Sequence, residues 1–177
     1  ADRWNPILDV FDGEGVRFAH EVHPSEIAYD YWSSVRALEA IDHRGAFGFN
    51  WDPSHMMWQN IDPVAFITDF ADRIYHVDCK DTRLRTPNGR YGVLGSHLPW
   101  GDPRRGWDFV STGHGDVPWE DCFRALRFIG YEGPISVEWE DAGMNRLHGA
   151  AEAVNFVRSL LWDPPTASFD EAFSNQT

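Results

Sequence analysis

Short apolar runs alternate with longer amphipathic segments along most of the chain. Apolar runs at 16–21, 47–52, 73–79 and 134–138 predict four β-strands. Apolar residues spaced three or four apart predict helices at 1–12, 24–41, 62–70 and 146–161, and a further helix beginning at Asp116. A helix follows each predicted strand, which is typical of α/β proteins with a parallel sheet. The pattern therefore predicts four βα units, half of an eight-unit barrel.

Three segments do not fit this repeat. Residues 81–113 form an insertion rich in glycine and proline with little periodicity, and loops of this length are usually functional or mobile. Residues 53–60 are predicted to be a loop. Residues 162–177 are predicted to be a C-terminal tail beyond a domain that spans 1–161, forming a surface strap or a disordered end.

More polypeptide is expected to be needed to complete the sheet. The sequence has no initiator Met and opens inside a predicted helix, which indicates a piece of a longer protein. Four parallel strands alone leave two sheet edges without partners. We therefore expect a missing N-terminal half, or another polypeptide in an oligomer, to complete the barrel.

An acid or a histidine lies at the end of each predicted strand. In chain order these residues are Glu21, Asp52, His76 and Glu138. The carboxyl ends of parallel strands meet at one face of the sheet, so these side chains are expected to converge. Carboxylate oxygens and an imidazole suit a divalent ion, with Mn²⁺ preferred over Mg²⁺, Co²⁺ or Zn²⁺. The alternative of four solvated strand ends is disfavoured, because gathering like charges is costly without a cation.

Several neighbours of these residues are candidates for contact with a substrate. His55 lies three residues after Asp52 and can donate to a substrate oxygen or serve as an outer ligand. His23 shares strand parity with Glu21, so it is expected to face the pocket as a catalytic candidate. Lys80 follows the third strand and is a candidate cation for a developing oxyanion, with a plain ion pair as the alternative.

Three further residues have both a functional and a structural interpretation. Asp78 has the parity of His76 and is a base or a rival ligand. His114 lies just before a predicted helix and can bind an anion or hydroxyls, although a turn capped by Asp116 explains the same pattern. Trp51, like Trp58, Trp100 and Trp139, lies near a predicted strand end, where it can form an aromatic wall for a sugar or an aromatic ring, or simply pack in the core.

Composition excludes several classes of function. The chain has 28 acidic and 15 basic residues, a net charge of -13, which disfavours nucleic-acid binding. Two cysteines, Cys79 and Cys122, do not make a disulfide framework and favour a reducing, cytoplasmic location. The sequence has neither an apolar stretch long enough to span a membrane nor a secretory signal. Motifs for nucleotide cofactors and for a serine nucleophile are also missing, so a small-molecule substrate is expected.

Four motifs occur in order at the predicted strand ends. They are Phe-Ala-His-Glu-Val-His-Pro at 18–24, Asn-Trp-Asp-Pro-Ser-His at 50–55, Tyr-His-Val-Asp-Cys-Lys-Asp at 75–81 and Ile-Ser-Val-Glu-Trp-Glu at 135–140. Together they resemble the sugar phosphate isomerase/epimerase group of the xylose isomerase-like TIM barrels. The likeness covers residues 1–161 and implies a (β/α)8 TIM barrel of which this chain supplies the last four βα units.

The resemblance also implies roles for individual residues. The metal ligands of that group would correspond to Glu21, Asp52, His76 and Glu138, and the two glutamates would form the acid/base pair. The histidine that contacts substrate would correspond to His55. Many relatives carry His-x-Lys-Asp in the third motif, which would place Asp78 at the usual histidine, so the third-strand ligand is either His76 or Asp78.

The leading functional hypothesis is a divalent-metal-dependent isomerase or epimerase. It would act on a sugar or keto-sugar by proton abstraction next to a carbonyl polarised by the metal. One alternative is a lyase subunit like the C-glycoside deglycosylases, acting on 3-keto glycosides. Another is a non-catalytic half-barrel assembly module, which predicts no tight metal. An apurinic endonuclease is disfavoured by the net charge of -13.

Overall fold

The computed structural model describes residues 1–85, 92–94 and 97–163, which contain two β-sheets. The six strands are β1 (Phe18–Glu21), β2 (Phe47–Trp51), β3 (Ile74–Asp78), β4 (Asp81–Leu84), β5 (Trp107–Val110) and β6 (Ile135–Ser136). Strands β1, β2, β3 and β6 form a parallel sheet in that spatial order, and β4 and β5 form an antiparallel pair. The parallel sheet confirms the predicted half of a TIM barrel.

Helices connect the parallel strands. They are α1 (Trp4–Gly13), α2 (Tyr31–Ala40), α3 (Pro53–Trp58), α4 (Pro63–Asp69), α5 (Trp119–Phe128) and α6 (Arg146–Ser159). Helix α2 follows β1, α3 and α4 follow β2, α5 precedes β6, and α6 follows β6. Among the described residues, no helix is long and apolar enough to cross a membrane.

Two helix starts differ from the predicted ones. The helix expected from residue 24 begins only at Tyr31, because Asp30 forms a capping box with Ser33 and Ser25 has a positive φ of 76°. The loop predicted at 53–60 contains α3, whose first turn is capped by Asp52. Proline follows this cap directly, and its fixed φ and missing N–H suit the first helical position.

The insertion at 81–113 is more regular than its composition indicates. Its two ends form the β4–β5 hairpin, in which Thr82 lies opposite Phe109 and Leu84 opposite Trp107. The alternating aromatic residues of β5 are typical of a half-buried strand. Residues 86–91 and 95–96 of the insertion, and 164–177 of the predicted tail, lie outside the described residues.

Aromatic side chains fill the layer between the parallel sheet and its helices. Phe47, Phe49 and Trp51 of β2 are almost completely buried, and Phe49 packs against Phe66 of α4. Cys79 and Cys122 are also buried there, as free thiols. Because alternate residues of β2 face the helices, the intervening ones, such as Asn50, face the opposite side of the sheet.

Gly48 on that opposite side allows β2 and β3 to approach closely. A Cβ at this position would lie 2.5 Å from the carbonyl oxygen of Arg73 and 2.4 Å from the ring of Tyr75. We expect Gly48→Ala to lower the free energy of unfolding by about 1–3 kcal/mol through overpacking. Urea denaturation followed by circular dichroism measures this loss. Gly45→Ala is the matched control, since its Cβ would have no neighbour within 4 Å, and an equal loss in both variants would contradict the steric explanation.

Candidate metal centre

Three carboxylates from the ends of three parallel strands converge on one point. Glu21 is the last residue of β1, Asp52 follows β2 directly, and Glu138 lies two residues after β6. One oxygen from each lies within 4.8 Å of the others. We call Glu21, Asp52 and Glu138 the acidic cluster. It forms because parallel strands end at the same edge of the sheet.

Asp52 is the most deeply buried member of the acidic cluster. Its side chain is 0% exposed, and Oδ1 accepts a hydrogen bond of 2.8 Å from the backbone N–H of Ser54. Its Oδ2 has no hydrogen-bond partner among the residues that the structure describes. Burial raises the pKa of Asp52 well above its ordinary value, partly offset by the hydrogen bond from Ser54. A buried oxygen with an unused lone pair is the kind of ligand atom that a cation would satisfy.

Two histidines extend the acidic cluster on one side. Ligand atoms of Glu21, His23 and His55 lie within 4.8 Å of one another, and the two imidazole rings are 4.2 Å apart. His55 Nε2 lies 3.7 Å from Glu21 Oε1 and 3.6 Å from Asp52 Oδ2. Burial, with smaller contributions from the charges of His23 and Lys80, lowers the pKa of His55 to about 3. His55 is therefore a neutral imidazole at neutral pH, able to donate one hydrogen bond and accept another.

Lys80 lies on the other side of the acidic cluster, next to Glu138. Its Nζ lies 2.6 Å from Glu138 Oε1 and 2.9 Å from Glu140 Oε1, and 4.4 Å from the ring centroid of Phe109. The side chain is buried, whereas both glutamates are partly exposed. Lys80 thus holds the Glu138 carboxylate in place and balances part of the negative charge.

His76 and Asp78 lie together on the inner face of the sheet but outside the acidic cluster. His76 Nε2 lies 2.7 Å from Ser136 Oγ and 3.5 Å from Asp78 Oδ1. Asp78 also accepts a hydrogen bond of 2.6 Å from Asn50 Nδ2 and contacts Ser136. Neither residue belongs to the groups of potential ligands found among the described residues. The assignment of either as the third-strand ligand stays a prediction.

Two of the substrate-binding candidates lie away from the acidic cluster. Trp51 is fully buried on the helix side of β2, where its Nε1 donates to the carbonyl oxygen of Pro63 and its ring packs against Trp119. His114 lies on the surface, with Nε2 3.1 Å from a carboxylate oxygen of Glu152 in α6. The structure therefore brings Glu21, Asp52, Glu138, His23, His55 and Lys80 together, and it leaves Trp51 and His114 apart from them.

Two aromatic residues of the insertion, Trp107 and Phe109, form a part of the site that the sequence interpretation did not identify. Phe109 of β5 packs against His55, with ring centroids 5.5 Å apart, and lies beneath Lys80. Trp107 stacks on Trp58 of α3, with centroids 5.0 Å apart and planes at 3°. The alternation Trp107-Asp108-Phe109-Val110 was the available signal for this strand.

The fold and the site together define a class of protein: parallel βα barrels that carry acidic side chains at the carboxyl ends of their strands. Comparison with known sequences makes this more specific. A family model for the xylose isomerase-like TIM barrel matches residues 1–160, and the chain belongs to this family.

Individual relatives are longer than this chain. This chain is 28% identical over 162 residues to the uncharacterized protein YfiH of Bacillus subtilis (strain 168). The matched region covers 89% of this chain and 51% of that protein. The chain thus spans about half the length of the curated relative that it matches.

Two solved structures are similar in fold. The apo form of the 3-keto-D-glucoside 4-epimerase YcjR from E. coli has a TM-score of 0.64 and 16% identity, with 89% of this chain and 51% of that one covered. The IolI protein with a bound zinc atom has a TM-score of 0.62 and 19% identity, with 90% of this chain and 52% of that one covered. At these identities the likeness shows a shared fold.

Proposed function

We propose that this chain carries the divalent-metal site of an isomerase or epimerase that acts on a sugar or keto-sugar. The observation that carries the proposal is the acidic cluster, in which one oxygen from each of three carboxylates lies within 4.8 Å of the others. Two named structural neighbours support it, since one is a keto-glucoside epimerase and another contains zinc.

The donor set of the acidic cluster fits a divalent cation. Glu21, Asp52 and Glu138 would supply three oxygens, and the unpaired Oδ2 of Asp52 would gain a partner. His55 lies within 4 Å of two of these residues and offers a nitrogen. When bound, such an ion would polarise a substrate carbonyl group and stabilise negative charge that develops on its oxygen.

The protein groups would move the proton. Glu21 would take the proton from the substrate carbon and return it, and burial raises the pKa of its carboxyl group. Glu138, oriented by Lys80, would serve as its counterpart in the acid/base pair. Neutral His55 would donate a hydrogen bond to a substrate hydroxyl and orient the carbon that loses its proton.

The other half of the barrel would cover the inner face of this sheet. An open cavity of about 670 Å³ lies at the end of the sheet away from the acidic cluster, lined in part by Arg17, Ile74 and Pro134 near the strand starts. Among the described residues, β1 and β6 each pair with one strand only. We therefore propose that further polypeptide pairs with these edges and closes the substrate pocket.

Proton exchange tests the proposed chemistry directly. The complete protein would be incubated in D₂O with a panel of neutral ketoses and 3-keto-glucosides, and NMR would follow deuterium uptake next to the carbonyl. Glu21→Gln is expected to slow exchange by about 100-fold or more, the usual contribution of a positioned acid or base.

Metal content provides a second test that does not depend on the substrate. Native mass spectrometry is expected to find one divalent ion per barrel, and Glu138→Gln is expected to lower this occupancy. Glu140→Gln is the matched control, because Glu140 also pairs with Lys80 but lies outside the acidic cluster. Full metal content in Glu138→Gln would reject the ligand assignment, and a protein with neither metal nor exchange would reject the function.

A further inference from the structure

A cavity of about 310 Å³ lies directly beside the acidic cluster. His23 and His55 belong both to its lining and to one group of potential metal ligands. The rest of the lining is mainly apolar and includes Trp58, Trp100, Trp107, Phe109, Val93 and Leu94. We call this space the aromatic cavity. Most of its lining comes from the insertion at 81–113, outside the parallel sheet.

The rings of the aromatic cavity support one another. Trp58 and Trp107 are parallel to within 3°, and the planes of Trp100 and Phe109 lie at 26° with centroids 5.1 Å apart. Trp107 meets Phe109 edge to face at 76°. These contacts hold flat ring faces in place before any ligand binds. Flat, preorganised aromatic walls favour a planar occupant, since offset stacking and edge contacts both need a ring as partner.

The cations at the aromatic cavity already have partners. The guanidinium of Arg105 lies 3.8 Å from the ring centroid of Trp100 and is 3.8 Å from a carboxylate oxygen of Asp108, and it donates to the carbonyl oxygen of Leu98. The ammonium of Lys80, beneath Phe109, is held by two glutamates. A phosphate or carboxylate would therefore have to break an ion pair and lie near the acidic cluster. These charges favour a neutral occupant.

One buried polar group faces the place where the aromatic cavity meets the acidic cluster. His55 is 4% exposed and lines the cavity, and within the described part of the chain neither of its ring nitrogens has a hydrogen-bond partner. A hydroxyl or ether oxygen next to a bound ring would supply the missing partner. The apolar walls and this single polar anchor together describe a ring attached to a polar, oxygen-rich group.

We infer that the aromatic cavity binds a neutral planar ring carried by the substrate. The substrate would then be an aryl derivative of a sugar, rather than a free sugar or a sugar phosphate. The assignment to a substrate rests on the proposed function, because it makes the ring an extension of the molecule held at the acidic cluster. The ability of the aromatic cavity to bind a planar ring does not depend on the proposed function.

Binding of 2-naphthol, a neutral planar ring, tests the inference. Saturation-transfer NMR on the complete protein would measure its Kd in the metal-free state. Trp100→Leu is expected to raise this Kd about tenfold, which corresponds to about 1.4 kcal/mol. Trp100 is 51% exposed, so the substitution leaves the core intact. Leu94→Glu, at a position 77% exposed, would place a carboxylate at the cavity and raise the Kd similarly.

Controls separate this inference from the proposed function. Trp32→Leu changes a tryptophan of α2 that is 70% exposed and outside the cavity lining, and it is expected to leave the Kd unchanged. Inorganic phosphate is expected not to displace 2-naphthol. Non-saturable binding, equal Kd values in Trp100→Leu and the parent protein, or displacement by phosphate would overturn the inference. Asp52→Asn is expected to retain 2-naphthol binding. Loss of metal binding would therefore leave the binding of 2-naphthol at the aromatic cavity unchanged.

Discussion

Asp52→Asn is expected to weaken divalent-metal binding by about 100-fold or more, because even changes next to metal ligands cost about 10- to 100-fold in affinity. The asparagine has nearly the same shape and can still accept the hydrogen bond from the backbone N–H of Ser54. It lacks the negative charge at the one oxygen of this residue that has no partner. Isothermal titration of the metal-free protein with Mn²⁺ or Zn²⁺ would measure the loss.

The same substitution is expected to separate metal binding from folding. At a free metal concentration of about 100 times the parent Kd, metal binding raises the free energy of unfolding of the parent protein by about 2.7 kcal/mol. For a variant with an about 100-fold weaker site, the same metal concentration raises it by only about 0.4 kcal/mol. Without metal, the variant should be at least as stable as the parent, since it no longer buries a carboxylate with an unpaired oxygen.

Asp62→Asn is the matched control for this experiment. Asp62 also precedes a proline and caps a helix, with its carboxylate accepting from the backbone N–H groups of Val64 and Ala65. It is exposed and lies outside the acidic cluster. An equal loss of metal affinity in both variants would show that the effect is not specific to the carboxylate of Asp52, and it would reject Asp52 as a ligand.

Asp81→Asn is expected to lower the free energy of unfolding by about 3–5 kcal/mol, the usual cost of breaking a buried charged network. Asp81 is 1% exposed, and its carboxylate accepts five hydrogen bonds. The donors are the backbone N–H groups of Thr82, Gly113, Gly115 and Val117 and the indole N–H of Trp119. An asparagine would offer one acceptor oxygen and present an NH₂ group to the remaining donors, leaving them unsatisfied.

Chemical denaturation of Asp81→Asn alongside Asp116→Asn would check the size of the effect. Asp116 lies in the same loop but is exposed, and its carboxylate accepts from one backbone N–H group, that of Leu84. We expect Asp116→Asn to cost only about 1 kcal/mol. Similar losses in the two variants would mean that the network around Asp81 contributes little to stability.

The acidic cluster could be predicted from the sequence because it depends on topology alone. Parallel strands bring their carboxyl ends to one edge, so Glu21, Asp52 and Glu138 converge whatever the details of packing. The same reasoning does not account for the position of His76. It lies two residues before the end of β3, level with Asn50 of β2, so its side chain reaches Ser136 below the edge. The length by which each strand extends beyond the sheet is set by packing that the sequence pattern does not reveal.

Side-chain direction explains the other differences. Trp51 directly precedes Asp52, so its side chain points to the opposite face of β2, into the helix layer. Trp107 and Phe109 of the aromatic cavity were missed because they come from a part of the insertion where glycine and proline obscured the short alternating strand β5. Pairing of β5 with β4 depends on contacts between residues 23 to 29 apart in sequence, which local patterns do not encode.

The anchoring of the insertion by a single buried carboxylate has an evolutionary consequence. Asp81 fixes both the start of the insertion and the loop that leads to α5, so the residues between can change without disturbing the barrel. Those residues supply most of the aromatic cavity, while the acidic cluster belongs to the parallel sheet. Under the proposed function, mutations in the insertion would diversify substrate choice among descendants while the chemistry of the acidic cluster is preserved.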